Sequence, residues 1–85
     1  MESVRLETRY GMADGLTPVI AARIAECASR YNAHLSIETD GRAIRIESLI
    51  SVLSMELRRG LPVTVIAEGE DAPAAAEGLR VLLEG

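Results

Sequence analysis

Four residues in this chain carry side chains with chemistry to offer outside a simple core or surface role: Thr17, Cys27, His34 and Ser48. Thr17 is followed by Pro18. Threonine caps helix starts by accepting a backbone N–H, and proline is favoured at the first helical position, so the pair marks a helix start. Ser48 precedes an apolar run with serines at 51 and 54, and Ser48 or Glu47 is expected to cap a short second helix there. His34, the one histidine, stands at the start of an alternating segment, on the opposite face from Leu35. No nucleophile, metal partner or phosphate cradle lies near it in sequence, so it is expected to be a surface residue. Cys27, the one cysteine, falls beside the apolar stripe of the first helix and reads as a buried or half-buried thiol. One cysteine also excludes an intrachain disulfide and a cysteine metal cluster. No metal, cofactor or catalytic constellation is expected.

The elements that must position these groups follow from periodicity. Val4 and Leu6 alternate with Arg5 and Glu7, which predicts a strand from Ser3 to Thr8 with one wet face. A loop from Gly11 to Gly15 leads to the Thr17 helix start. Ile20, Ala21, Ile24, Ala28 and Tyr31 then form a helical stripe opposed by Arg23, Glu26 and Arg30. His34 to Thr39 and Arg42 to Ile46 alternate again around Asp40-Gly41, a strong tight-hairpin signal. Leu61 to Ala67 is a β-prone segment with Pro62 near its start. Asp71 is expected to cap a last helix with Pro73 in its first turn and Ala75, Ala76, Leu79, Leu82 and Leu83 inward. Gly78 inside that helix should cost about 1 kcal/mol relative to alanine. The predicted order is β-α-β-β-α-β-α. Four strands with one apolar face need helices on that face, so the fold class is α+β, an open-faced sandwich.

Composition sets further bounds. Eighty-five residues suffice for one domain, residues 1–85, with one core and little room for a separate deep active site. Apolar residues make up 48%, yet there are only two tyrosines and no Phe or Trp, so the core is aliphatic. Base-stacking platforms are therefore missing, and a net charge of −4 argues against a phosphate-backbone binder; no nucleic-acid partner is expected. No signal peptide or membrane-length apolar stretch is visible, so the expectation is a cytoplasmic protein without a membrane partner.

Several features together resemble the HPr family, the phosphocarriers of the bacterial sugar phosphotransferase system. They are Gly15-Leu16 before a helix, the hairpin Asp40-Gly41-Arg42, the segment Glu47-Ser48-Leu49-Ile50-Ser51-Val52-Leu53-Ser54, Gly60, and Glu68-Gly69-Glu70-Asp71 before the last helix. Their spacing agrees without insertions from about Val4 to about Leu83. The resemblance implies a four-stranded antiparallel sheet with three helices on one face. The family's working motif is Gly-Leu-His-Thr-Arg-Pro-Ala, and this chain reads Gly15-Leu16-Thr17-Pro18-Val19-Ile20-Ala21. By that register Thr17 occupies the phospho-histidine position, and Val19 and Ile20 replace the arginine and proline.

A threonine phosphate is an ordinary monoester with lower transfer potential than a histidine phosphoramidate. No base is placed to activate the hydroxyl, and the phosphate-pairing arginine is gone. The resemblance therefore implies a regulatory or protein-interaction module without intrinsic catalysis, related in logic to the catabolite-repression HPr homologues. The alternative is a phosphocarrier with an unusual acceptor. Ser48 aligns with the family's regulatory serine, where phosphate would lie near a helix N-terminus. Glu47 precedes it, where many members carry a basic residue. Val19, Ile20, Leu49, Ile50 and Leu53 belong to the surface the family uses for partner docking. The partners implied are phosphotransferase enzymes, a serine kinase or a transcriptional regulator. Edge strands leave a monomer or a weak homodimer open.

Overall fold

The computed structural model describes residues 2–85. In chain order the elements are β1 (Ser3–Arg9), α1 (Pro18–Ser29), β2 (Ala33–Thr39), β3 (Arg42–Arg45), α2 (Leu49–Leu53), β4 (Pro62–Gly69) and α3 (Ala72–Glu84). The four strands form one antiparallel sheet in the order β1-β4-β2-β3, and helices α1 and α3 pack against it. This is the expected β-α-β-β-α-β-α open-faced sandwich. Register explains why one face is covered. Leu6 pairs with Val65, Val65 with Ile37 and Ile37 with Ile44, so one row of aliphatic side chains crosses the sheet beneath the helices. The adjacent row, Arg5, Ile66, Ser36 and Arg45, faces away from them. That offset of one residue is the two-residue side-chain period of a strand.

Asp40 and Gly41 adopt φ values of 52° and 77°. Two successive left-handed residues make the tight hairpin turn that their sequence announces. The strand limits move slightly from the periodic reading. β1 runs on to Arg9 and β4 to Gly69, while β3 stops at Arg45, although Ile46 is still buried.

The last helix corrects two expectations. Asp71 sits at the N-cap but makes no side-chain cap bond. Its Oδ2 instead accepts the Asn32 N–H at 2.8 Å, its own N–H donates to the Asn32 carbonyl at 3.2 Å, and Asn32 Nδ2 donates to Glu70 Oε2 at 2.9 Å. The carboxylate ties the α1–β2 turn to the start of α3. Gly78 is also more than a weak point in α3. A Cβ there would lie 2.3 Å from Tyr31 Oη and 3.1 Å from its Cζ, so the missing side chain makes room for the Tyr31 ring between α1 and α3. Gly78→Ala gains helix propensity of about 1 kcal/mol. It loses a comparable or larger amount by displacing Tyr31. Urea unfolding is expected to show no stabilisation, and a gain near 1 kcal/mol would refute the packing role.

Candidate functional site

Two capped helix starts stand on the helical layer, and both are built by short-range hydrogen bonds. Thr17 is extended (φ −98°, ψ 163°), its Oγ1 accepts the Ile20 N–H at 3.2 Å, and its carbonyl accepts the Ala21 N–H at 2.8 Å. Pro18 occupies the first helical turn, where its missing donor does no harm. The Thr17 hydroxyl is thus engaged as a cap, as Thr-Pro implies.

Ser48 is likewise extended (φ −157°, ψ 170°), so Ser48 and not Glu47 caps α2. Its Oγ accepts the Ser51 N–H at 3.3 Å, and Ser51 Oγ accepts the Ser48 N–H at 3.1 Å. This is a reciprocal capping box with serine in the place usually held by Glu or Gln. Ser51 Oγ also accepts the Glu47 N–H and donates to the Ser48 carbonyl, and Ser54 Oγ donates to the Ser51 carbonyl at 2.6 Å. The serines at 48, 51 and 54 therefore stabilise a helix of five residues that length alone would leave marginal. Glu47 is exposed and faces the Arg45 guanidinium at 3.5 Å.

The segment before Thr17 is held from beneath. Tyr10 is fully buried, and its hydroxyl donates to the Gly15 carbonyl at 2.7 Å. The Gly11 N–H donates to the Leu83 carbonyl at 2.8 Å, which fastens the loop to the end of α3. A Cβ on Gly15 would stand 3.1 Å from the Leu57 carbonyl, so the loop also abuts the chain that follows α2. Sequence reasoning did not single out Tyr10. The signal was the inward alternation Val4, Leu6, Thr8, which continues to Tyr10.

The five apolar residues divide. Ile50 is 80% exposed, Val19 63%, Leu53 46% and Leu49 42%. Ile20 is half-buried and packs against the core, so its side chain contributes only in part to any outer surface. Val52, fully buried, anchors α2, and α1 packs directly on α2. Four large apolar side chains are thus left in water on two adjoining helices, beside both capped serine and threonine hydroxyls. Val81 on α3 is the other large exposed hydrophobic among the described residues.

The two remaining candidates lie elsewhere. His34 is exposed on the helix-free face of the sheet, opposite Glu68, with the Arg45 guanidinium against its Nδ1. Cys27 is buried in α1, and burial pushes its thiol up, away from the reactive thiolate. Among the described residues, no group of His, Cys, Asp or Glu is placed to hold a metal ion, and no helix is long and apolar enough to cross a membrane.

Comparison with known proteins agrees with this architecture. Residues 7–85 match the family model described as the PTS HPr component phosphorylation site. A multiphosphoryl transfer protein of Xanthomonas campestris is 34% identical over 94% of this chain, which spans only 10% of that protein's length. The HPr-like protein Crh of Bacillus subtilis is 32% identical, covering 95% of this chain and 88% of its own. The crystal structure of a phosphocarrier protein HPr from Bacillus anthracis superposes with a TM-score of 0.88 at 28% identity, covering 95% of this chain and 96% of the other. A matching family model across most of the chain, relatives above 30% identity and the same sheet and helix arrangement lead to one conclusion: this chain belongs to the HPr family.

Proposed function

We propose that this chain is a regulatory, protein-docking member of the HPr family that does not relay phosphoryl groups through histidine and is switched by phosphorylation at Ser48. The observation that carries this reading is the exposed group Val19, Leu49, Ile50 and Leu53 standing beside the hydroxyls of Thr17 and Ser48. Isolated exposed apolar side chains are ordinary, but four of them on two helices that pack together, around a modifiable position, suit a partner surface.

Thr17 fills the position of the family's phospho-histidine and is engaged in capping α1. A phosphoryl group on it would form a stable monoester with no neighbouring base to move it on. Ser48 suits a switch. Phosphate there meets the N-terminal end of α2, where negative charge is favoured, and it disturbs the Ser48–Ser51 capping pair. The like charge of Glu47 is partly offset by Arg45. By family kinship the partners are phosphotransferase enzymes, a serine kinase or a transcriptional regulator. The protein acts as a single domain over residues 1–85, in the cytoplasm, as a monomer or weak homodimer, without catalysis of its own. A phosphocarrier with an unusual acceptor is the competing reading, favoured by kinship to proteins named phosphocarriers.

Paired phosphorylation assays decide between them. Enzyme I with phosphoenolpyruvate is expected to leave no acid-labile phosphate on the chain. The family's serine kinase with ATP is expected to add one acid-stable phosphate, which Ser48→Ala removes. Label on His34 would establish the phosphocarrier reading, and no phosphate on Ser48 would remove the switch. Ile50→Asp should abolish partner binding while leaving the circular-dichroism melt unchanged.

A further inference from the structure

The outer edge of β1 is an open flank of the sheet. β1 closes one side of the strand order, and the elements it touches are β4 and α3. It is seven residues long, carries no proline, and pairs with β4 at every position from Ser3 to Arg9 without a bulge. Its backbone groups alternate between the two sides. The Tyr10 N–H donates to the Leu61 carbonyl and the Gly69 N–H to the Glu2 carbonyl, each at 2.9 Å and both on the β4 side. By the alternation of an antiparallel ladder, Val4, Leu6 and Thr8 also turn their backbone groups to β4. Ser3, Arg5, Glu7 and Arg9 point theirs out of the sheet, where no strand lies among the described residues. Val4 and Leu6 pack on the core yet are only half-buried. Free edges are usually blunted by a proline, a bulge or charged side chains, and β1 has only the charges.

We infer that β1 pairs antiparallel with β1 of a second copy, around a two-fold axis at Leu6, and so joins two four-stranded sheets into one. This rests on the weak-homodimer part of the reading above and names its interface. The charges of the strand choose the register. With Leu6 opposite Leu6, Arg5 stands opposite Glu7 of the second copy, and Glu7 opposite its Arg5. These are outward residues, so each such pair can exchange two backbone hydrogen bonds, and Ser3 with Arg9 adds the same at either end. A slip of two residues sets Arg5 against Arg5 or Glu7 against Glu7, and like charges directly opposite are destabilising. A slip of one sets outward groups against inward ones and breaks the ladder. Charges that blunt this edge against other strands therefore fit it to itself. Glu7 is exposed and in no ion pair among the described residues. Arg5 holds Glu38 Oε1 at 2.8 Å through one nitrogen, which leaves its other donors for Glu7 of the second copy. On the covered side the two Leu6 side chains meet where facing residues come closest, and each shields the other from water. A net charge of −4 on each copy opposes the association, so it is weak and concentration-dependent.

The test is sedimentation of the full chain from micromolar to millimolar concentration, with amide exchange followed by NMR at both ends of that range. The wild-type chain is expected to self-associate as concentration rises. The amides of Arg5 and Glu7 should exchange freely in dilute solution and slow in the dimer, while Leu6 stays protected throughout. Arg5→Glu and Glu7→Arg should each weaken self-association by about tenfold or more, because two cross-strand attractions become repulsions. Glu7→Arg leaves the Arg5–Glu38 pair in place, so its effect is not that of losing this contact. An equimolar mixture of the two variants should dimerise again, since each supplies the charges that the other needs. A wild-type chain that stays monomeric to millimolar concentration overturns both this inference and the homodimer reading. A dimer that both variants retain, or a mixture of variants that stays monomeric, overturns the β1 pairing alone. A dimer whose Arg5 and Glu7 amides still exchange freely also overturns it, because whole strands exchanged between copies would leave that edge open.

Discussion

Gly11→Ala is expected to lower the stability of the domain by about 3 kcal/mol and its Tm by about 15 °C. A Cβ at Gly11 would stand 1.9 Å from the Glu84 carbonyl oxygen, 2.7 Å from its carbon and 3.2 Å from its Cα. Every one of these is a backbone atom, so no side chain can swing aside. The β1–α1 loop and the end of α3 must separate instead. That separation breaks the Gly11–Leu83 hydrogen bond, worth about 1 kcal/mol, and opens the packing around Leu83, which is fully buried. Separation also lowers the support beneath the loop that leads to Thr17. A small domain has only about 5–15 kcal/mol in hand, so the loss is a large share. Gly41→Asn is the control. It changes a glycine with φ of 77° and nothing within 4 Å, at a position asparagine tolerates, and should shift stability little. Urea melts of both variants check the pair. A Gly11→Ala midpoint close to wild type would mean that the close approach does not exist in solution.

That contact marks where sequence reading stops. Strand alternation exposes the covered face because each residue's orientation follows from its neighbours two away. Asp40-Gly41 declares its turn because both residues tolerate left-handed backbone. Thr17 and Ser48 declare themselves as caps for the same local reason. Gly11 and Gly78 carry no such signal. Each is small because something distant in the chain, the Glu84 carbonyl or the Tyr31 ring, passes within van der Waals distance. Asp71 shows the limit differently. Its type and place suggest a cap, but a backbone amide thirty-nine residues away, on Asn32, takes the carboxylate. The candidate surface was legible as a list of residues and not as a surface. Periodicity cannot say that Ile20 turns toward the core while Val19, one residue before it, stays in water, because a helix start presents both to different neighbours. Nor can it place the Arg9 guanidinium on the Gly60 carbonyl, a contact that forms only once β1 pairs with β4.

Tyr10 is the remaining residue on which the site depends, and two substitutions separate its two roles. It is fully buried, so Tyr10→Ala removes an aromatic ring from an otherwise aliphatic core and is expected to lose about 4 kcal/mol. Tyr10→Phe keeps the ring and deletes the hydroxyl that donates to the Gly15 carbonyl, for an expected loss of about 1–2 kcal/mol. The smaller change should have the more local signature. The Gly15 amide, which donates to the Met12 carbonyl, should exchange with solvent faster relative to the Val65 amide in the sheet, because the loop before Thr17 loosens before the core does. Burial pushes the Tyr10 hydroxyl's pKa up from its ordinary value near 10. The folded state therefore holds this proton more tightly than the unfolded chain. Its contribution is complete below the unfolded-chain value and is lost as pH climbs from there through the higher folded value. The stability difference between wild type and Tyr10→Phe should consequently be flat at neutral pH and shrink under alkaline conditions. A difference that stays constant through that range, or Gly15 exchange unchanged in Tyr10→Phe, would show that the ring alone holds the loop and the hydroxyl does not.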